Sequence, residues 1–203
     1  MTTRIVPIGP SSIAEAAIVV KSGGLVVYPT DTVYGLGCDP FDEEAVTRLF
    51  EAKARGTKPV PILCDSMRSA RKLVSMNPTA QVLAEEYWPG GLTIVMPAAL
   101  KLPYLIDQGS GEVGVRVPAL SDCVALIEQC GGFLIGTSAN ASGEPPCKTA
   151  EEALKELGGM VEIILDGGKL EGDESTVIRV RGESVEVLRQ GAVKVRGARR
   201  HRE

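Results

Sequence analysis

The chain has 203 residues, of which 44% are hydrophobic and 24% charged, and its formal net charge is −4. This balance predicts a globular protein with one large core or two small ones. No run of about 18 apolar residues occurs, and the N-terminus lacks the apolar core of a signal peptide, so the sequence predicts neither membrane insertion nor export. We therefore expect a cytoplasmic protein.

Histidine and cysteine are too few or too scattered for several kinds of site. His201, in the extreme tail, is the only histidine, which argues against a histidine-based triad or a histidine-ligated metal. The five cysteines form no C-x-x-C pair, which argues against a disulfide framework and against a structural zinc site. They are Cys38, Cys64, Cys123, Cys130 and Cys147. We predict no metal site built by the protein itself.

The first half of the chain alternates strand-like and helix-like segments. The stretch VVYPTDTVYGLGCDP, residues 26–40, begins as a strand and is predicted to end as a polar loop. FDEEAVTRLFEAKAR predicts a helix with Asp42 as its N-cap and acidic residues in its first turn. A strand in PVPILC and helices in MRSARKLVS and PTAQVLAEEYW follow.

The second half continues the alternation. Strands are predicted in LTIVMP and VGVRVP, a helix in LSDCVALIEQC, and a strand in FLIGTSAN that runs into a polar loop. TAEEALKEL predicts a helix capped by Thr149, with Glu152 completing a capping box. VEIILD, STVIRV and SVEVLR predict strands, with RGES as a hairpin turn. The order predicts a single α/β domain over residues 1–193 and a basic tail, 194–203, that is disordered or contacts RNA phosphates.

Four polar stretches border apolar strands: PTDTVYGLG, GTSANASGE, DESTV and LRQGAV. Ligands of α/β proteins usually bind where strands end, and glycine amides and hydroxyls suit an anion or a polar small molecule. These residues could instead be turn formers and helix caps. Their repetition favours one shared cleft.

Basic residues add to this pattern. Lys53, Arg55 and Lys58 lie within six positions, where they could cap a helix or converge on phosphates. Arg116 alternates with Val115 and Val117, and a charge in a strand needs a carboxylate partner or a charged ligand. The P-loop and Rossmann motifs are absent, so any nucleotide is bound by another architecture.

Taken in order, YPTDTVYGLGCDPFDEEAVTRLFEAKARGTKP, VGVRVP, GTSANASGEPPCKT, DESTV and LRQGAV resemble the YrdC family of threonylcarbamoyl-AMP synthases. The resemblance implies a twisted, open, mixed β-sheet with helices packed around it and a concave basic surface. It also implies a short, single-domain enzyme that makes L-threonylcarbamoyladenylate and pyrophosphate from L-threonine, bicarbonate or CO2, and ATP with Mg²⁺. The product serves the t6A modification at position 37 of tRNAs, together with other proteins of that pathway.

The resemblance also implies roles for individual residues. Catalytic, phosphate-handling roles fall on Lys53, Arg55 and Lys58. The substrate threonine is contacted by Thr32, Arg116 and Ser175, with Arg116 at its carboxylate. The nucleotide is bound by Arg55, Lys58, Ser138, Asn140 and Arg189.

Three departures from the family pattern stand out. KARGTKP lacks a proline of the family's basic motif and is one residue shorter. Leu63 or Cys64 occupies the place where some members carry a histidine, and Pro146 stands where a hydroxyl contact is expected.

The chemistry needs no protein nucleophile, because a carbamate formed from threonine and CO2 attacks the α-phosphorus of ATP. Positioning and charge neutralisation are the enzyme's task. Two alternatives remain: a module that binds tRNA or double-stranded RNA without turnover, and a carbamoyl-AMP-forming enzyme like the hydrogenase-maturation proteins.

Overall fold

The computed structural model describes residues 2–54, 56, 58–196 and 198–200, and for residues 199–200 it describes the backbone alone. The predicted alternation of strands and helices is confirmed. The helices are α1 Pro10–Lys21, α2 Glu43–Ala52, α3 Met67–Leu73, α4 Pro78–Tyr87, α5 Tyr104–Asp107, α6 Ser121–Gln129 and α7 Ala150–Leu157. The strands are β1 Arg4–Pro7, β2 Val26–Tyr28, β3 Gly35–Gly37, β4 Ile62–Cys64, β5 Leu92–Pro97, β6 Glu112–Arg116, β7 Phe133–Ile135, β8 Thr137–Ser138, β9 Ile163–Asp166, β10 Thr176–Arg181, β11 Ser184–Arg189 and β12 Arg199–Arg200.

The predicted α/β class with mixed strand directions and helices packed around them is confirmed, and the strands are divided between two mixed sheets. The smaller sheet has the order β1-β9-β2-β3-β8, and the larger has the order β12-β11-β10-β5-β6-β4-β7. The two sheets meet where the amide of Ile135 in β7 donates to the carbonyl of Cys38 just after β3, at 3.0 Å. The short β7 and β8 are separated by Gly136 alone, so one continuous segment contributes to both sheets.

The predicted polar loop after β2 is partly wrong, because Gly35–Gly37 forms strand β3 between β2 and β8. The ring of the buried Tyr28 lies against Gly35 and Gly37, which leaves little room for a side chain at either position. A Cβ atom on Gly37 would lie 2.4 Å from the carbonyl oxygen of Ile135 and 2.9 Å from the Tyr28 ring. The glycines therefore allow close packing of strands, whereas the sequence pattern predicted loop amides suited to a ligand.

The helix caps follow the predictions from sequence. The Asp42 carboxylate accepts from the amides of Glu44 and Ala45 at the start of α2. The Thr149 hydroxyl accepts from the amide of Glu152 at 3.2 Å, but the Glu152 carboxylate accepts from the amide of Lys148 instead of Thr149. The capping box is therefore formed with its second bond shifted by one residue.

Helices pack against two buried, largely aliphatic clusters, each of which contains residues of both sheets. Val46 and Leu49 of α2 lie in one cluster with Ile62 and Ile94, and Ala16 of α1 lies in another with Leu126 of α6. In the part of the chain that the structure describes, no helix combines the length and apolar character needed to cross a bilayer. The tail backbone at Arg199–Arg200 pairs with β11, and residues 201–203 lie outside the described residues, so the predicted disorder of the tail stays a prediction.

Candidate functional site

Two adjoining hollows lie where the strands end. The small recess is lined by Thr30, Thr32, Val33, Tyr34, Gly35, Leu63, Arg116, Gly136, Thr137, Ser138, Glu174, Ser175 and Arg189. The four polar stretches singled out from the sequence all contribute to it, as the expectation of one shared cleft requires. They meet because β2, β8, β10 and β11 begin or end at this point of the two sheets.

Arg116 lines the recess and is only 4% exposed. Its guanidinium donates to the Asp31 carboxylate at 2.6 Å, to the Thr32 hydroxyl at 3.0 Å and to the Gly90 carbonyl at 2.8 Å. A guanidinium has five N–H groups, and three of them are taken by these partners within the described part of the chain. One N–H on each terminal nitrogen therefore has no acceptor among the described residues.

Thr30 and Thr32 lie in one turn but have different tasks. The Thr30 hydroxyl donates to the Val33 carbonyl at 2.7 Å and accepts from the amides of Thr32 and Val33. Thr30 is thus a turn former, which is the alternative to a ligand contact that the sequence left open. The Thr32 hydroxyl faces Arg116 and lies 2.9 Å from the Thr30 hydroxyl, so it is a lining group of the recess whose orientation is fixed by its neighbours.

The main cavity adjoins the recess and has a volume of about 670 Å³. The two hollows share the wall residues Gly136, Thr137, Ser138, Glu174, Ser175 and Arg189. Further walls come from one face of the larger sheet, through Thr93, Val95, Gly114, Val177 and Arg179, and from the 140–144 loop. This volume falls within the range of roughly 300–1,000 Å³ that small-molecule sites have, and it is large enough for a nucleotide.

Lys53 lies between α2 and the 138–140 loop and is 1% exposed. Its ammonium donates to the carbonyl of Ser138 and, at 2.5 Å, to the carbonyl of Asn140. A buried ammonium is stable only with such partners. The lysine therefore holds the backbone of the predicted nucleotide loop and also lines the main cavity.

The other predicted phosphate-handling residues follow Lys53 in the chain. Lys58 is exposed and lines the main cavity. Arg55 lies outside the described residues.

Asn140 has an unsatisfied acceptor. Its side-chain amide donates to the carbonyls of Ala141 at 2.9 Å and Glu144 at 2.6 Å. Its Oδ1 atom is buried and accepts no hydrogen bond from any residue that the structure describes. A buried acceptor without a donor is costly, so this loop retains an unmet hydrogen-bonding need beside the main cavity.

Arg189 lies at the junction of the two hollows. Its guanidinium donates to the Glu174 carboxylate at 2.7 Å and to the Ser175 carbonyl at 2.9 and 3.2 Å. It also lies 3.2 Å from the Ser175 hydroxyl, which in turn is 3.0 Å from the hydroxyl of Thr93. These contacts place a cation and a hydroxyl on the wall that separates the recess from the main cavity.

The thiols of Cys38 and Cys147 and the phenol of Tyr34 stay protonated at neutral pH. Burial raises the pKa of the Cys147 thiol to about 11, and that thiol donates to the Ala139 carbonyl. Burial likewise raises the pKa of Cys38 above its usual range, and raises the pKa of Tyr34 to about 12. Because the thiolate is the nucleophilic form, these cysteines serve packing in this site.

Asp31 and Glu174 are site residues that the sequence reasoning missed. Each is the carboxylate partner of a predicted arginine, and each adjoins a predicted residue in sequence: Asp31 precedes Thr32 and Glu174 precedes Ser175. The need of Arg116 for a carboxylate partner was a usable signal, but nothing local indicates which of the 26 acidic residues provides it.

The chain is similar to several known proteins. The family model Sua5/YciO/YrdC, described as "Telomere recombination", matches residues 18–191. The threonylcarbamoyl-AMP synthase of Pyrococcus abyssi is 39% identical over 181 residues, which are 88% of this chain and 53% of that protein. The threonylcarbamoyl-AMP synthase of Thiobacillus denitrificans is 36% identical over 146 residues, which are 71% of this chain and 78% of that protein.

A solved structure extends the comparison to three dimensions. The crystal structure of P. abyssi Sua5 complexed with L-threonine superposes with a TM-score of 0.91 at 36% identity. The match covers 98% of this chain, which spans 62% of the length of the P. abyssi chain. Because the family model covers most of the sequence and the fold is shared, this chain belongs to the Sua5/YciO/YrdC family.

Proposed function

We propose that the chain is an L-threonylcarbamoyladenylate synthase, which converts L-threonine, bicarbonate or CO2, and ATP into threonylcarbamoyl-AMP and pyrophosphate. The observation that carries this proposal is the small recess lined by the buried Arg116, which shares six wall residues with an adjoining cavity of about 670 Å³. The recess has a volume of about 30 Å³ and admits a group of carboxylate size, so an amino acid bound there would extend toward the larger cavity, which has room for a nucleotide. The relatives named above as threonylcarbamoyl-AMP synthases support the assignment.

The recess suits the amino acid. The two remaining N–H groups of Arg116 point to a bidentate bond with the threonine carboxylate, and the Thr32 and Ser175 hydroxyls lie in the same recess. P. abyssi Sua5 was solved in complex with L-threonine, which supports an amino-acid site in this fold. Asp31 holds Arg116 in place, so the clamp is formed before the substrate arrives.

The main cavity suits ATP. Lys58 and Arg189 line it, and with Arg55 they are the proposed phosphate contacts. Ser138 and Asn140 form the nucleotide loop that Lys53 holds from behind. The unsatisfied Oδ1 atom of Asn140 is available to a donor of the nucleotide or of a bound water if the loop adjusts on binding.

Chemically, the threonine nitrogen bonds to the carbon of CO2 and loses a proton, giving a carbamate. A carbamate oxygen then bonds to the α-phosphorus as the bond to pyrophosphate breaks. Two anions must approach each other, so the arginines and lysines contribute by positioning and by charge neutralisation.

We propose that Mg²⁺ arrives bound to the ATP phosphates. Three glutamates line the main cavity: Glu112 pairs with Arg179 and Arg181, Glu174 pairs with Arg189, and only the exposed Glu144 has no arginine partner among the described residues. The chemistry of such paired carboxylates fits a metal shared with the phosphates better than a dedicated cage. Bound in this way, the ion would neutralise charge on the triphosphate.

The place of the reaction and its further partners are also proposals. The product would serve the t6A modification of tRNA in the cytoplasm, through other proteins that transfer the threonylcarbamoyl group. The basic tail, which carries five Lys or Arg residues among its last ten positions, is the segment that favours contact with tRNA or double-stranded RNA.

The decisive assay is pyrophosphate release from ATP and Mg²⁺, with no amino acid, with L-threonine or with L-serine, and with or without bicarbonate. We expect release that requires both threonine and bicarbonate. Absence of release from folded protein would contradict a self-sufficient synthase, and salt-dependent RNA binding without turnover would favour the binding-module alternative.

A further inference from the structure

Leu63 lies next to the proposed carboxylate clamp. It is the central residue of β4, and in the parallel pairing of β4 with β6 its register partner is Arg116. Partners in neighbouring strands lie about 4.8 Å apart and direct their side chains to the same face of the sheet. Both side chains line the small recess, so a ligand carboxylate on Arg116 is within one side-chain length of Leu63.

The leucine side chain fills a defined space. It is 2% exposed and lies over Gly136, where an added Cβ atom would come within 2.4 to 2.9 Å of its Cγ and Cδ atoms. The glycine therefore leaves the room that the leucine branches occupy. Leu63 and Val33 are the two aliphatic residues among those that line the recess, and Leu63 is the one in register with Arg116.

An apolar wall can distinguish threonine from serine. The two amino acids share the carboxylate, the amine and the hydroxyl, and differ by one methyl group on Cβ. A methyl group that contacts an apolar wall gains affinity by leaving water, whereas serine leaves that wall without a partner. Burial of one methyl group alters affinity about fourfold, and a well-packed pocket discriminates by about 10–200-fold.

We propose that Leu63 is the residue that selects threonine over serine, by packing against the substrate methyl group. This inference rests on the proposed function for the identity of the substrate. The side chain touches no reacting atom, and its role is to make the recess prefer the branched amino acid.

The test measures equilibrium binding of L-threonine and of L-serine to the full chain by calorimetry, and kcat/KM for both in pyrophosphate release. The variants are Leu63→Ala, Leu63→Met and Val33→Ala. Methionine keeps an apolar contact of similar volume, whereas alanine removes it. Val33→Ala is the matched control, because it removes methyl groups from the same recess at a residue outside the β4–β6 register.

For Leu63→Ala we expect the threonine-to-serine ratio to fall about fourfold or more, with serine binding within about twofold of the unchanged chain. Leu63→Met and Val33→Ala should keep the ratio within about twofold. An unchanged ratio for Leu63→Ala, or an equal loss for both amino acids, overturns the inference. Melting temperatures of all variants show whether an equal loss comes from unfolding. If it does, the milder truncation Leu63→Val takes the place of Leu63→Ala, and an unchanged threonine-to-serine ratio in that folded variant overturns the inference.

The binding measurement also separates the two proposals. Threonine binding without pyrophosphate release would contradict the synthase, while the binding ratio would still test Leu63. Failure of the unchanged chain to bind either amino acid overturns both.

Discussion

The two arginines of the site form ion pairs of almost equal length in very different surroundings. The Arg116–Asp31 pair measures 2.6 Å, and its side chains are 5% and 18% exposed. The Arg189–Glu174 pair measures 2.7 Å, and its side chains are 43% and 33% exposed. Distance alone would rank them as equals, but burial determines what each can do.

The buried pair is suited to a fixed task. Removing one partner leaves a charge without compensation, which costs about 3–5 kcal/mol, so Arg116 keeps one position before and after a ligand binds. The exposed pair contributes only about 0–1 kcal/mol. Under the proposed function, Arg189 would exchange Glu174 for a phosphate at small cost. Arg116 would then be a rigid carboxylate clamp and Arg189 an adaptable phosphate contact.

Arg116→Ala should have the largest effect. We expect KM for threonine to rise about 100-fold while KM for ATP changes about threefold or less, because the carboxylate loses a bidentate partner worth about 1.5–3 kcal/mol per bond. Stability to urea should fall by about 3–5 kcal/mol, since Asp31 loses its partner. Steady-state kinetics and urea unfolding measure the two changes.

Arg116→Lys is the control for this variant, because it keeps the positive charge and loses the planar fork. It should recover much of the stability and little of the threonine affinity. Equal increases of KM for threonine and KM for ATP in Arg116→Ala would contradict the proposed bond between Arg116 and the threonine carboxylate.

Arg189→Ala should affect the other substrate. We expect KM for ATP to rise about tenfold through loss of one charged contact, with stability changed by about 1 kcal/mol or less. Arg4→Ala is the matched control, because Arg4 forms an exposed pair with Glu15 and lines neither hollow. An unchanged KM for ATP in Arg189→Ala would contradict the proposed role of Arg189 as a phosphate contact.

Glu174→Gln tests whether the exposed pair is exchangeable. Without the competing carboxylate, Arg189 should bind the triphosphate more tightly, and KM for ATP should fall about two- to threefold. Glu171→Gln serves as the control in the same segment, because Glu171 pairs with the exposed Lys169. A higher KM for ATP would show instead that Glu174 must hold Arg189 in place.

The smallest effect that we expect is a difference between the salt dependence of KM for ATP and that of KM for threonine. Raising ionic strength from about 0.05 to 0.3 M shortens the Debye length from about 14 to 6 Å and weakens exposed charges more than buried ones. We expect KM for ATP to rise about twofold and KM for threonine to stay nearly constant. Equal salt dependence of the two constants would contradict the difference drawn between the arginines.

Local sequence patterns were sufficient to predict helices with side-chain caps, such as α2 and α7, and strands with alternating apolar residues. Asp42 and Thr149 begin α2 and α7 as predicted, because a cap depends only on residues within the next turn. Strand β3 was missed, because its glycines indicate a loop until the ring of Tyr28 is placed beside them. The Tyr28 ring packs β2 against β3, and its hydroxyl donates to the carbonyl of Ile135, 107 positions away.

The sequence by itself determined the α/β class, the four polar stretches and the family resemblance, since these depend on residue type and order along the chain. Tertiary structure alone decided which carboxylate holds Arg116, that Lys53 binds the backbone of the 138–140 loop, and that Leu63 lies beside Arg116. The physical reason is that these contacts join residues 53 to 87 positions apart, and burial, which fixes their strength, results from packing of the whole chain.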